Sequence, residues 1–122
     1  MAFSSVSAGG YHTCGVRASD GEVECWGDDD LGQATPPSGV AFSSVNAGDT
    51  HTCGTRAGDG ELECWGDDAF GQATPPSGVA FSSVSASSSH DLGAPGAYTC
   101  GVRASDGIQI CWGSRARNLE RT

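Results

Sequence analysis

Six cysteines carry the clearest chemical signal in this 122-residue chain. They fall as Cys14/Cys25, Cys53/Cys64 and Cys100/Cys111, each pair separated by the same eleven-residue offset. A hairpin centred on Ser19-Asp20 sets Cys14 directly opposite Cys25, and the same construction pairs the other two sets. Opposed residues on neighbouring strands have Cβ atoms about 4.5–5.5 Å apart, slightly wider than a disulfide spans, so a small local adjustment closes the bond. Three cross-hairpin disulfides are therefore the preferred reading. Two alternatives stay open, buried reduced thiols and zinc. Zinc is disfavoured because no CxxC pair is present and two opposed thiolates per hairpin leave a tetrahedral site half built. Disulfides persist in oxidising compartments, which places the chain outside the cell or on its surface. The opening residues, Met1 to Ser5, show neither the basic region nor the apolar run of a signal peptide.

The remaining chemistry-bearing residues read differently. His12 and His51 stand at equivalent places beside the cysteine strand, with Tyr98 at the third. A histidine that recurs in this way is expected to be a hydrogen-bonded structural group. Asp28-Asp29-Asp30 and Asp67-Asp68 invite a calcium reading, but they lack the interleaved ligand spacing of a calcium loop. No metal or other cofactor is expected. Ser, His and Asp are all present, yet no nucleophile sits in a recognisable strained turn, so no catalytic residue is assigned. Arg17 and Glu22, and likewise Arg56 and Glu61, should form ordinary cross-strand ion pairs of small energetic value.

The elements that position these groups repeat every 39 residues. Phe3-Ser4-Ser5-Val6 returns at Phe42 and again at Phe81, and residues 3–41 differ from 42–80 at only eight positions. The third copy holds register to His90 and, after an insertion, resumes at Tyr98 eight residues late. Within a copy, Phe3 to Ala8, His12 to Ala18 and Glu22 to Trp26 read as strands. Ser19-Asp20-Gly21 reads as a hairpin turn. Prolines in Thr35-Pro36-Pro37-Ser38-Gly39 bar a helix from the connection. The expected fold class is all-β, a partial β-propeller of about three small antiparallel blades. Residues 1–113 would hold the blades, in repeats of about 3–41, 42–80 and 81–113. The basic tail 114–122, with Arg115, Arg117 and Arg121, reads as a disordered end. Trp26, Trp65 and Trp112 should fill the core between blades.

The strings Ala8-Gly9-Gly10-Tyr11-His12-Thr13-Cys14-Gly15-Val16, Asp20-Gly21-Glu22-Val23, Cys25-Trp26-Gly27 and Gly32-Gln33 together resemble the regulator of chromosome condensation repeat. The short period is most similar to bacterial members, including propeller-type β-lactamase inhibitor proteins. The paired cysteines resemble repeats of crinkly-type plant receptor kinases. The resemblance implies a scaffold for protein binding and leaves the partner open. Members usually close a ring of about seven blades, whereas this chain holds about three.

Charge narrows the partner. Fifteen acidic residues face six basic ones, a formal net charge of -9. Phosphate is bound by clustered Lys and Arg, so neither nucleic acid nor an anionic membrane is an expected partner. No segment reaches the roughly 18 apolar residues of a membrane span. One rim of each hairpin does invite a binding role. Four of the eight differences between the first two copies fall there, at Gly10/Asp49, Tyr11/Thr50, Asp30/Ala69 and Leu31/Phe70. A fixed framework bearing variable loops is how rigid scaffolds present binding residues. The expected function is thus non-enzymatic protein binding through Tyr11, Asp28, Asp29, Asp30, Leu31, Asp49, Asp67, Asp68 and Phe70. The alternatives are a fragment of a longer propeller without separate activity, and, at low weight, a carbohydrate-binding module or enzyme. Open end blades predict a head-to-tail homodimer that closes a ring, unless the insertion covers an end.

Overall fold

The computed structural model describes residues 2–68, 71–86 and 98–113. Among the described residues, nine strands form three separate three-stranded sheets. They are β1 (Phe3–Ala8), β2 (His12–Arg17) and β3 (Val23–Gly27), then β4 (Phe42–Ala47), β5 (His51–Arg56) and β6 (Leu62–Gly66), then β7 (Phe81–Ala86), β8 (Tyr98–Arg103) and β9 (Gln109–Gly113). Each sheet is an antiparallel meander in chain order. The arrangement is the partial β-propeller expected from the repeat. The expected insertion and tail lie outside the described residues.

Local chemistry explains each hairpin. Gly21 takes a φ of 77°, a conformation that costs glycine little. Its N–H donates to the Arg17 carbonyl, while the Asp20 carboxylate accepts from the Glu22 N–H at 3.0 Å. That turn fixes the register Cys14↔Cys25, with Gly15 opposite Glu24 and Val16 opposite Val23. Arg17 serves three acids at once: Asp20 at 2.6 Å, Glu24 at 2.9 Å and Glu22 at 3.7 Å. The expected Arg17–Glu22 pair is the longest of the three.

Strand alternation gives every blade two unlike faces. The leading face carries Phe3, Val6, Thr13 and Trp26, and the trailing face carries His12, Cys14, Val16, Val23 and Cys25. The leading face of one blade packs on the trailing face of the blade before it. Phe42 and Val45 are buried against Cys14, Val16 and Val23, with Cys25, Val40 and Trp65 at the margin. Glycine at the centre of the second strand makes this possible. A Cβ on Gly54 would come within 2.7 Å of the Phe42 ring, so the ring lies flat on bare backbone. The same ring leans on Trp65, with centroids 5.8 Å apart. Phe3–Trp26 and Phe81–Trp112 repeat the pair. The tryptophans sit at the edge of the core and not in its centre.

Candidate functional site

All six cysteines are bonded as Cys14–Cys25, Cys53–Cys64 and Cys100–Cys111, with Cα–Cα distances of 4.1, 4.0 and 4.0 Å. Each bridge crosses one hairpin and staples a single blade.

A buried polar relay crosses each seam. His12 Nε2 lies 2.6 Å from Thr52 Oγ1, and the Thr52 hydroxyl donates to the Gln33 carbonyl at 2.8 Å. Trp65 Nε1 donates to that same carbonyl at 3.0 Å. The second seam repeats the pattern with His51, Thr99, Gln72 and Trp112. Burial lowers the pKa of His12 and takes His51 down to about 4, against the opposing pull of nearby aspartates. These histidines are the structural groups expected of a repeated position. Sequence reasoning missed Gln33, Gln72, Thr52 and Thr99, all fully buried. The recurring Gly-Gln and His-Thr dipeptides were the available signal.

The rim is formed where β2 begins and β3 ends. His12 pairs with Gly27, and the Asp28 N–H donates to the Tyr11 carbonyl at 2.9 Å. Tyr11 is 52% exposed and Leu31 51%. The acids between them do unequal work. Asp29 accepts from the Thr35 hydroxyl at 2.6 Å and the Ala34 N–H at 2.8 Å, and these bonds hold its carboxyl below the usual range. Asp68 caps its own loop in the same way through Thr74 and Ala73. Asp28 accepts from the Asp30 N–H, while the buried Gln33 side chain accepts from the Leu31 N–H. Asp28, Asp29 and Asp68 therefore brace the loops, Asp28 also accepting from the Gln33 amide, and Asp30 stands exposed on the same rim as Tyr11 and Leu31.

The surface position expected for Asp49 is corrected. Asp49 is buried at the first seam, with its carboxylate over Gly10. The bulk lies there because the Gly10 N–H bonds the Gly48 carbonyl, which draws the two loops together. Asp67 is half-buried. Phe70 lies outside the described residues. Among the described residues, no group of three or more His, Cys, Asp or Glu could hold a metal ion. Nor is any helix among them long and apolar enough to cross a membrane.

Three stapled antiparallel blades in sequence, joined face to face, define a β-propeller repeat protein. The family is fixed by the repeat itself. The pattern described as the regulator of chromosome condensation (RCC1) repeat matches residues 3–33 and 42–72, just over half of the chain, and the chain belongs to that family. Among solved structures, it is similar to the entire ectodomain of the receptor kinase CR4 from Physcomitrella patens. That match has a TM-score of 0.78 at 30% identity and covers 93% of this chain and 30% of the other. The CRINKLY WD40 ectodomain of the Arabidopsis thaliana receptor kinase ACR4 matches with a TM-score of 0.70 at 30% identity, over 92% of this chain and 36% of that one. Prp20p from Saccharomyces cerevisiae shares the fold, with a TM-score of 0.72 at 18% identity over 91% of this chain and 33% of its own. The chain thus spans about a third of each structure it matches. No curated protein matches it significantly.

Proposed function

We propose that the chain is a non-enzymatic scaffold that binds a protein through the rim carrying Tyr11 and Leu31. The observation behind this reading is that Leu31 stands exposed on a loop pinned by Asp29 and Gln33, and that Tyr11 stands exposed on the β1–β2 turn, which the Asp28 N–H ties to that loop. Rigid presentation lowers the ordering cost of binding, and aromatic anchors usually dominate protein interfaces. Asp28 and Asp30 would favour a basic partner surface and raise the rate of encounter. The yeast protein Prp20p, studied for binding Gsp1p and histones, supports a binding role for such folds. The three disulfides and the similarity to receptor ectodomains support an extracellular setting. A photo-crosslinking residue at position 11 should capture a protein that the same residue at position 19, on the opposite rim, does not. Equal capture from both positions would sink the assignment.

A further inference from the structure

The first blade ends outward in a strand that is paired on one side only. β3 is the last strand of its sheet and bonds to β2 alone. The Arg17 N–H donates to the Glu22 carbonyl and the Asp28 N–H to the Tyr11 carbonyl, so the ladder uses alternate residues of β3. Cys14 and Cys25, with Cα atoms 4.1 Å apart, are a close, non-hydrogen-bonded pair of that ladder. Val23 and Cys25 therefore turn their N–H and C=O groups outward. Among the described residues, no hydrogen bond reaches them. A further blade stacks on a sheet face and leaves this edge as it is. Propeller blades typically have four strands, and here each sheet has three.

A slot of about 280 Å³ runs along the edge, between Glu22, Val23, Glu24 and Cys25 on one side and Pro36 and Pro37 on the other. Consecutive strand residues point to opposite faces, so a slot lined by four in a row follows the backbone edge and not a face. The connection that forms the far wall cannot itself pair as a strand, because Pro36 and Pro37 have no N–H to donate. On one face of β3 lie Glu22 and Glu24, which share a single guanidinium, that of Arg17, with Asp20. On the other face lie Val23 and the Cys14–Cys25 disulfide. β6 repeats the edge with Leu62, Glu63 and Cys64, and Glu61 accepts from the Gly78 N–H as Glu22 does from the Gly39 N–H.

We propose that this edge takes an extended segment of a protein partner as a fourth strand, with basic and apolar residues in alternation. Pairing with Val23 and Cys25 makes about four backbone bonds, since the residues of each such pair exchange both of theirs. Residues opposite one another in a ladder share a face. The segment's apolar residues thus fall beside Val23 and the disulfide, and its Lys or Arg beside Glu22 and Glu24. The carboxylates also select the occupant. The same edge of a second copy would bring its own glutamates against them, and like charges oppose that pairing. The surface is separate from the rim of Tyr11 and Leu31.

The test titrates a blocked six-residue peptide of alternating valine and lysine into the full chain while amide exchange is followed by NMR. The Val23 and Cys25 amides, and those of Leu62 and Cys64 in the second blade, should exchange more slowly as it binds. N-methylation of the valines removes the N–H groups that face the edge and should weaken binding about tenfold. N-methylation of the lysines, whose N–H groups face water, should leave binding nearly unchanged. A peptide of three valines followed by three lysines, equal in charge, should bind no better than the valine-methylated one. Glu24→Gln combined with Glu63→Gln should weaken the alternating peptide and flatten its salt dependence, with all three disulfides kept. Tyr11→Ala should change nothing. Equal losses from the two methylations, or equal binding of the block peptide, would show attraction by charge alone and overturn the proposal. An alternating peptide that slows none of these amides would overturn it as well.

Discussion

His12 Nε2 and Thr52 Oγ1 meet at 2.6 Å across the first seam, and the hydroxyl between them settles the ring's tautomer. A threonine hydroxyl has one proton, and Thr52 gives it to the Gln33 carbonyl. The ring must therefore donate from Nε2 to Thr52, and a proton added to the ring would go to Nδ1. Thr99 imposes the same tautomer on His51.

Thr52→Val should therefore cost more than its small change in shape suggests. The imidazole N–H would be left in a buried seam without its acceptor, a loss of roughly 1–3 kcal/mol. Thr55→Val, on the opposite face of the blade, should do the opposite. Thr55 is buried, and its hydroxyl has no hydrogen-bond partner among the described residues. Val16 and Val102 fill the equivalent places. Urea unfolding of both variants should show a lower midpoint for Thr52→Val and a gain of about 1 kcal/mol for Thr55→Val.

Acid should loosen the seams before it reaches the surface carboxylates. His51 is fully buried, and burial takes its pKa from 6.5 to about 4; Asp67, Asp49 and Asp68 pull it up, while His12 pushes it down. Between these values the unfolded chain binds the proton and the folded chain does not. Stability should therefore be full above pH 6.5, fall as pH drops toward 4, and lose about 3 kcal/mol from this group in all. Urea midpoints across that range provide the check. His51→Gln, which cannot take up a proton, should flatten much of the slope.

Much of this was legible in the chain because each structural choice is made three times. The Asp20-Gly21 turn fixes the hairpin, the hairpin fixes the cysteine register, and the 39-residue period fixes the stacking. What escaped lay between copies. Nothing within one repeat says that Thr52 will meet a histidine 40 residues earlier, or that Asp49 will be drawn under the neighbouring loop by the bond from Gly10 to Gly48. Asp29 is exposed, as a run of acids suggests, yet it is also a cap, which the run does not show. Its role as a cap depends on Thr35, six residues on, returning to meet it.

The disulfides should matter modestly and independently. Each closes a loop whose ends are eleven residues apart, so each contributes at most about 2–3 kcal/mol. Peptide mapping without reduction should recover only the three intrablade pairs. Paired Cys→Ala changes in the middle blade, at Cys53 and Cys64, should be the most damaging. That blade packs against a neighbour on both faces, so loosening it disturbs both seams; Cys53, like Cys14, is fully buried. Reversed ranking in thermal unfolding would show that the end blades set the stability.

The rim acids should separate by role. Asp29 holds the loop through Ala34 and Thr35, so Asp29→Ala should lower stability and weaken partner binding together. Asp30 is exposed on the same loop, and Asp30→Ala should leave the unfolding midpoint unchanged. Its effect should appear in the rate of partner association, and that effect should fade with added salt, as expected for a rim charge. Leu31→Ala should instead speed dissociation, because the side chain it removes is the apolar contact. Association and dissociation rates for the three variants, measured at two salt concentrations against the captured partner, test the assignment. If Asp29→Ala and Asp30→Ala behave alike in stability and in rate, the loop is held by something other than the Asp29 cap.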